Sequence, residues 1–145
     1  MNKRTCLTGL VLASTLALGA CASPRVLRDF TTDGCSLFPD SAGDACWADC
    51  CVEHDRAYWR GGTAAQRKRA DAALRACVAR TGRTSLAGLM YGGVRIGGMP
   101  LWPTWFRWGY GWGYGRGYEP LTPAEQQDAQ DKLAARPLGR HACGP

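Results

Sequence analysis

The run Cys50-Cys51-Val52-Glu53-His54-Asp55-Arg56-Ala57-Tyr58 sets an imidazole, a carboxylate and a phenol directly after a cysteine pair. Imidazole changes protonation near neutral pH, so His54 is suited to take a proton from a water molecule. Hard cations prefer oxygen donors, so Asp55 beside it is the candidate metal ligand. On a helix, Cys50, His54 and Tyr58 recur at i, i+4 and i+8 and share one face, with Asp55 a step to the side. Asp71 stands among Ala70, Ala72, Ala73 and Leu74, and a carboxylate on an apolar helix face requires a partner. If the two segments are antiparallel helices, Asp71 reaches a ring nitrogen of His54 and Cys77 meets a cysteine of the first helix.

The surrounding punctuation predicts such helices. A first helix is expected from about Ala45 to Arg60, stopped by Gly61-Gly62. Thr63 with Gln66 makes a capping box that opens a second helix, which runs to about Arg80 and ends at Gly82. The very short turn between them predicts an antiparallel pair. Residues 33–43 carry Gly, Pro, Ser and Asp and read as a loop. Residues 86–98 are apolar but interrupted by five glycines, consistent with a helix offering a smooth face for close packing. Within 101–118 aromatic residues alternate with glycines, and an extended backbone would put those rings on one face. Thr122-Pro123-Ala124-Glu125 starts a C-terminal helix over 123–136, and Cys143 staples the tail. Arg67-Lys68-Arg69 reads as a solvated face, and Trp59 as a core aromatic.

The N-terminus indicates export. Lys3 and Arg4 precede an uncharged apolar stretch over 7–20, too short to span a membrane, so residues 1–20 read as a signal peptide. Leu18-Gly19-Ala20-Cys21 resembles the lipobox of bacterial lipoproteins, which implies acylation of Cys21 and a bacterial envelope address; Ala22 after the cysteine suggests the outer membrane. Residues 21–32 are then a tether and 33–145 one small domain. Cys35, Cys46, Cys50, Cys51, Cys77 and Cys143 read as three disulfides with fifteen possible connectivities; no second Cys/His cluster has zinc spacing. The formal charge is +6, two units of which leave with the signal. Outside the cytoplasm the matching anionic partner is phospholipid or lipopolysaccharide rather than nucleic acid, and the sequence names no protein partner. Trp102, Trp105, Trp108 and Trp112 suit a membrane interface; a segment laid over the helices with its rings in the core is the other reading.

The pattern Cys-Cys-x-x-His-Asp with a Tyr four residues after the His, followed on a second helix by an Asp and a Cys six residues later, resembles the secretory phospholipase A2 superfamily. The residues that carry the likeness are Cys50, Cys51, His54, Asp55, Tyr58, Asp71 and Cys77, with Cys35 nineteen residues before His54; it covers about 33–80. The family's cysteine between Asp and Tyr and its bridging partner correspond to Ala57 and Ala70, absent together. The resemblance implies a mainly α fold built on a disulfide-stapled antiparallel helix pair, here with a Gly/aromatic-rich extension and a C-terminal helix. It implies that His54 deprotonates a water attacking the sn-2 ester, that Asp71 orients His54, and that Tyr58 bonds Asp71. It implies Ca2+ held by Asp55 and by carbonyls at Gly34, Ser36 and Phe38, although the family has more glycine in this loop; Asp40 and Asp44 are alternative oxygen donors. It implies the pairs Cys50-Cys77 and Cys35-Cys51, which leaves Cys46 for Cys143, a bridge the family does not supply. The competing expectation is a non-catalytic envelope lipoprotein, a scaffold or lipid binder that retains the helix pair.

Overall fold

The computed structural model describes residues 26–135 and Cys143. The signal peptide, the Cys21 acylation site, the start of the tether and the expected helix end at residue 136 lie outside them. The described chain is mainly helical: a two-stranded antiparallel sheet of β1 (Ser41–Ala42) and β2 (Ala45–Cys46), then α1 (Ala48–Arg60), α2 (Ala64–Arg80), α3 (Thr84–Gly97) and α4 (Pro123–Ala135). No helix among the described residues is long and apolar enough to cross a membrane.

Three successive pairs establish that α1 and α2 are antiparallel. Tyr58 meets Arg67, His54 meets Asp71, and Cys50 is bonded to Cys77, so descending α1 means ascending α2. Gly61 and Gly62 make the reversal with φ of 70° and 125°, values that side chains resist. Thr63 then caps α2 in a complete capping box with Gln66. The first helix begins at Ala48 rather than near Ala45, because Ala42 and Ala45 pair across the Gly43-Asp44 turn and spend residues 45–46 on a strand. The glycine-interrupted segment is helical, and α3 packs along α2.

The disulfides join Cys35 to Cys51, Cys46 to Cys143 and Cys50 to Cys77. The Cys50–Cys77 bridge closes a 27-residue separation, a loop whose lost freedom in the unfolded chain is worth about 3–4 kcal/mol. Two apolar clusters flank the helix pair. One gathers Cys35, Trp47, Cys51, Leu74, Val78 and Met90; the other gathers Leu27, Phe30, Val52, Trp59, Trp112 and Ala129. Trp59 is wholly buried, as expected of a core aromatic.

Three expectations are overturned here. The tether over 21–32 is not free chain in its described part: Leu27 and Phe30 are core residues, and the Arg28 carbonyl accepts the Trp59 indole N–H at 2.8 Å. The aromatic–glycine segment is a series of turns, not a strand, and its rings diverge. Trp108 and Trp112 are 2% and 1% exposed, so they are not interface residues, whereas Trp102 and Trp105 are 46% and 68% exposed. The reason is polar as well as apolar. The last carbonyls of α1 and its turn lack helical partners, and the indoles of Trp112 and Trp108 donate to Arg60 and Gly62 there, both at 2.7 Å. Gly109 and Gly111 N–H groups cap the Tyr58 and Trp59 carbonyls at 2.6 and 3.1 Å. A Cβ at Gly111 would stand 2.6 Å from the Trp59 carbonyl oxygen, so only glycine allows the segment to lie this close. Third, Arg67 is not on a solvated face with Lys68 and Arg69; it is 1% exposed and those two are exposed.

Candidate active site

Helix pairing delivers the chemistry to one point. His54 Nε2 lies 2.9 Å from Asp71 Oδ1, and Tyr58 Oη donates to the same oxygen at 2.7 Å. Asp71 is fully buried, and a buried carboxylate survives only with its oxygens saturated. Arg95, from the last turn of α3, donates to Asp71 Oδ2 at 2.6 Å. Burial pushes the Asp71 carboxyl up, but hydrogen bonds from His54, Arg95 and Tyr58 outweigh it and hold it below its ordinary value. An ionised carboxylate only accepts, so Nε2 donates to Asp71, and in the neutral imidazole Nδ1 is then the nitrogen with the free lone pair. Burial, then the Asp71 charge, raise the Tyr58 phenol, which therefore stays neutral and donates.

Behind Tyr58 lies the group the sequence misassigned. Arg67 Nε donates to Tyr58 Oη at 3.0 Å, and its other nitrogens reach Tyr118 Oη at 2.7 Å and the Val94 and Arg95 carbonyls at 2.8 Å each. The two carbonyls belong to the C-terminal end of α3, where a cation is favoured. Nothing local marked Arg67 or Arg95 as site residues: one sits in a basic triplet, the other in a glycine-rich apolar run.

His54 opens on a cleft of about 120 Å³ whose walls include Phe38, Leu74, Met90, Val94 and Phe106. The lining is almost wholly apolar, and the space suits one narrow chain rather than a bulky ligand. Gly93 and Gly97 keep the α3 wall flat; a Cβ at either would touch the Phe38 or Phe106 ring at 3.5 Å.

Asp55 stands at the cleft's edge, 8% exposed, with Thr32 Oγ1 donating to Oδ2 at 2.6 Å. Burial chiefly, and the charges of Asp33 and Asp40, against the Thr32 hydrogen bond, raise its carboxyl from 3.8 to about 7. The loop before it has left-handed φ at Gly34 (74°) and Ser36 (54°). Among the described residues its internal hydrogen bonds end on the Cys35 carbonyl and on side chains, and none ends on the carbonyls of Gly34, Ser36 or Phe38. No three carboxylate, imidazole or thiol side chains converge among the described residues, so a cation here would draw on backbone oxygen. Asp40 accepts from the Cys35 N–H at 2.9 Å and braces the loop, while Asp44 sits exposed in the β-turn. A buried carboxylate under negative neighbours, beside uncommitted carbonyls, is a donor set that fits a hard dication.

The direction of the Asp55 shift has a measurable consequence. A carboxyl raised by folding contributes most favourably below its unfolded value of 3.8, and that contribution is lost as pH rises through 3.8 to about 7. Full ionisation at pH 8 costs up to about 4 kcal/mol at 1.36 kcal/mol per unit. In chelator, Asp55→Asn is therefore expected to stabilise the protein by a few kcal/mol at pH 8 and by almost nothing at pH 4. Urea melts at both values measure this; equal effects at the two pH values would refute the buried-anion account.

A scan against protein-family models, a search of curated proteins and a search of solved structures each return no match to this chain.

Proposed function

We propose that this chain is a phospholipase A2-like hydrolase of the bacterial envelope, calcium-dependent and acting on the sn-2 ester of phospholipids. The observation that carries the reading is the buried Asp71 clamp on His54 Nε2, which leaves Nδ1 as the basic nitrogen at an apolar cleft. Two observations add to it: the fit of Asp55 and its loop to a hard dication, and the exposed Trp102 and Trp105 rings, which suit a headgroup layer. The lipobox-like run ending at Cys21 supports an envelope address beside that substrate.

In this mechanism a water held at His54 Nδ1 attacks the ester carbonyl carbon as the imidazole takes its proton. Asp71 stabilises the imidazolium without itself becoming protonated, since Arg95 and Tyr58 keep it ionised. When the tetrahedral carbon collapses, the C–O bond to glycerol breaks and the imidazolium returns the proton to the departing alkoxide. The products are a free fatty acid and a lysophospholipid, and no covalent enzyme intermediate forms. Asp55 and the carbonyls of Gly34, Ser36 and Phe38 would hold calcium, which when bound polarises the carbonyl and neutralises the lipid phosphate. The apolar cleft excludes bulk water and aligns the acyl chain.

The test is fatty-acid release from phospholipid vesicles, with calcium and with chelator. Release of the sn-2 acid is expected, with loss of all but a trace in chelator. No release from any common phospholipid would replace this reading with the non-catalytic lipid-binding one.

A further inference from the structure

A second polar feature lies outside the His54 site. A groove of about 820 Å³ runs between the segment before β1 and the aromatic–glycine turns, with Arg28, Thr104, Trp105, Arg107 and Tyr114 among its walls. Two guanidinium groups meet there. Arg107 Nη2 donates to the Trp112 carbonyl at 2.8 Å, and Arg28 Nη2 reaches the same oxygen at 3.3 Å and the Tyr110 carbonyl at 2.5 Å. Arg107 is only 5% exposed. Among the described residues neither arginine has a carboxylate within ion-pair distance. The groove's own carboxylate, Asp29, is 57% exposed at the rim and pairs with Lys132 at 3.3 Å, while Asp33 beside it accepts from the Trp105 indole at 3.2 Å. Thr104 Oγ1, on the same wall, is buried and has no hydrogen-bond partner.

Two like charges rest on one carbonyl oxygen, one of them almost wholly buried with its guanidinium over the Tyr114 ring at 5.6 Å, and an anion between them would relieve their repulsion. Burial first, then the Arg28 charge, push the Arg107 guanidinium down from its usual value, although it remains charged. Forked guanidinium donors match the oxygens of phosphate, and a hydroxyl supplies a further donor. The groove lies near the cleft at His54. A small cavity between them shares Asp55 and Phe106 with the cleft, and Thr31, Trp105 and Tyr110 with the groove. A lipid of the surrounding surface, next to the one whose chain lies at His54, would thus bring its headgroup to Arg28 and Arg107. Exposed Trp105 and Tyr114 rings at the rim suit the headgroup layer.

We propose that Arg28, Arg107 and Thr104 form an anion site that takes the phosphate of an anionic lipid headgroup. The site needs no turnover at His54; its assignment to lipid rests on the phospholipid reading above. The test uses the full chain carrying Cys21→Ser, so that no acyl anchor drives binding, and His54→Gln, so that vesicles stay intact. Cosedimentation with phosphatidylglycerol vesicles is expected to exceed that with phosphatidylcholine vesicles, and inorganic phosphate is expected to compete. Arg28→Gln, at an exposed position, should keep its melting temperature and weaken phosphatidylglycerol binding about fivefold, the effect of one basic residue at an anionic surface. Arg107→Gln should weaken it further. Equal binding of both vesicle types, or an Arg28→Gln protein that binds as its parent does, would overturn the proposal. Arg28-dependent binding of free phosphate without vesicle binding would overturn the lipid assignment. Absence of fatty-acid release by the wild type would remove the hydrolase reading and leave this binding result standing.

Discussion

Replacing His54 by Gln is expected to lower the ester hydrolysis proposed for this chain by about a thousandfold or more while leaving the fold in place. His54 is held 2.9 Å from Asp71 and lines the apolar cleft. A glutamine amide can still donate to Asp71, so the buried carboxylate keeps a partner and loses little stability. It cannot accept a proton from water, and loss of a general base removes rate factors of about 10²–10⁴ alone, more where the residues act as a unit. The signature is a fall in kcat with little change in KM, and a melting temperature within a few degrees of wild type. Retention of a tenth of the rate would remove His54 from the chemistry.

The largest stability effect is expected at Arg67. Substitution by Met keeps the length of the stem but strips donors from Tyr58, Tyr118 and the Val94 and Arg95 carbonyls at once. It also removes a positive charge 3.9 Å from the Asp71 carboxylate. Breaking a buried charged network from one side costs about 3–5 kcal/mol, because acceptors are left dry and unpaired. For a chain of this size that lowers the melting temperature by roughly 15 °C. Arg67→Lys should recover part of the loss, since an ammonium lacks the planar fork that spans several acceptors. A calorimetric melt of both variants decides the matter, and an Arg67→Met protein melting within about 3 °C of wild type would refute the network's role. Activity at low temperature should fall far less than in His54→Gln, because Arg67 acts on Tyr58 and not on the reacting atoms.

These two residues also mark how far the chain could be read unaided. His54, Tyr58 and Asp71 were legible because helical spacing, a capping box at Thr63 and Gln66, and paired glycines at 61–62 are short-range signals. Once two helices are antiparallel with a tight turn, residues at similar distances from it on the facing sides come together. The bridges Cys50–Cys77 and Cys35–Cys51 are the two pairs the resemblance implies, and Cys46–Cys143 joins the two cysteines left over. Arg67 was not legible, because three of its four acceptors come from the far end of α3 and from Tyr118, 27 to 51 residues away in sequence. Within Arg67-Lys68-Arg69 the three side chains differ only in which way the helix turns them.

The aromatic–glycine turns make the same point about packing. Alternation alone puts all rings on one face, and that holds only for an extended backbone. Left-handed φ at Gly109 (73°), Gly115 (91°) and Gly117 (68°) breaks the alternation, sending Trp108 and Trp112 inward onto unpaired carbonyls and leaving Tyr114 outside. Leu27 and Phe30 likewise belong to the core only because Trp59 and Trp112 provide a surface for them.

By itself, then, the sequence determined the helix pair and the facing of His54 and Asp71 across it, because these follow from periodicity, capping and turn length, while the cysteine pairing was legible only through the resemblance. Tertiary structure alone decided which arginines are buried, which tryptophans meet solvent, and that two guanidiniums share one carbonyl beside the cleft. Those outcomes depend on where distant unpaired carbonyls and apolar surfaces come to lie, and no local pattern of residues encodes that.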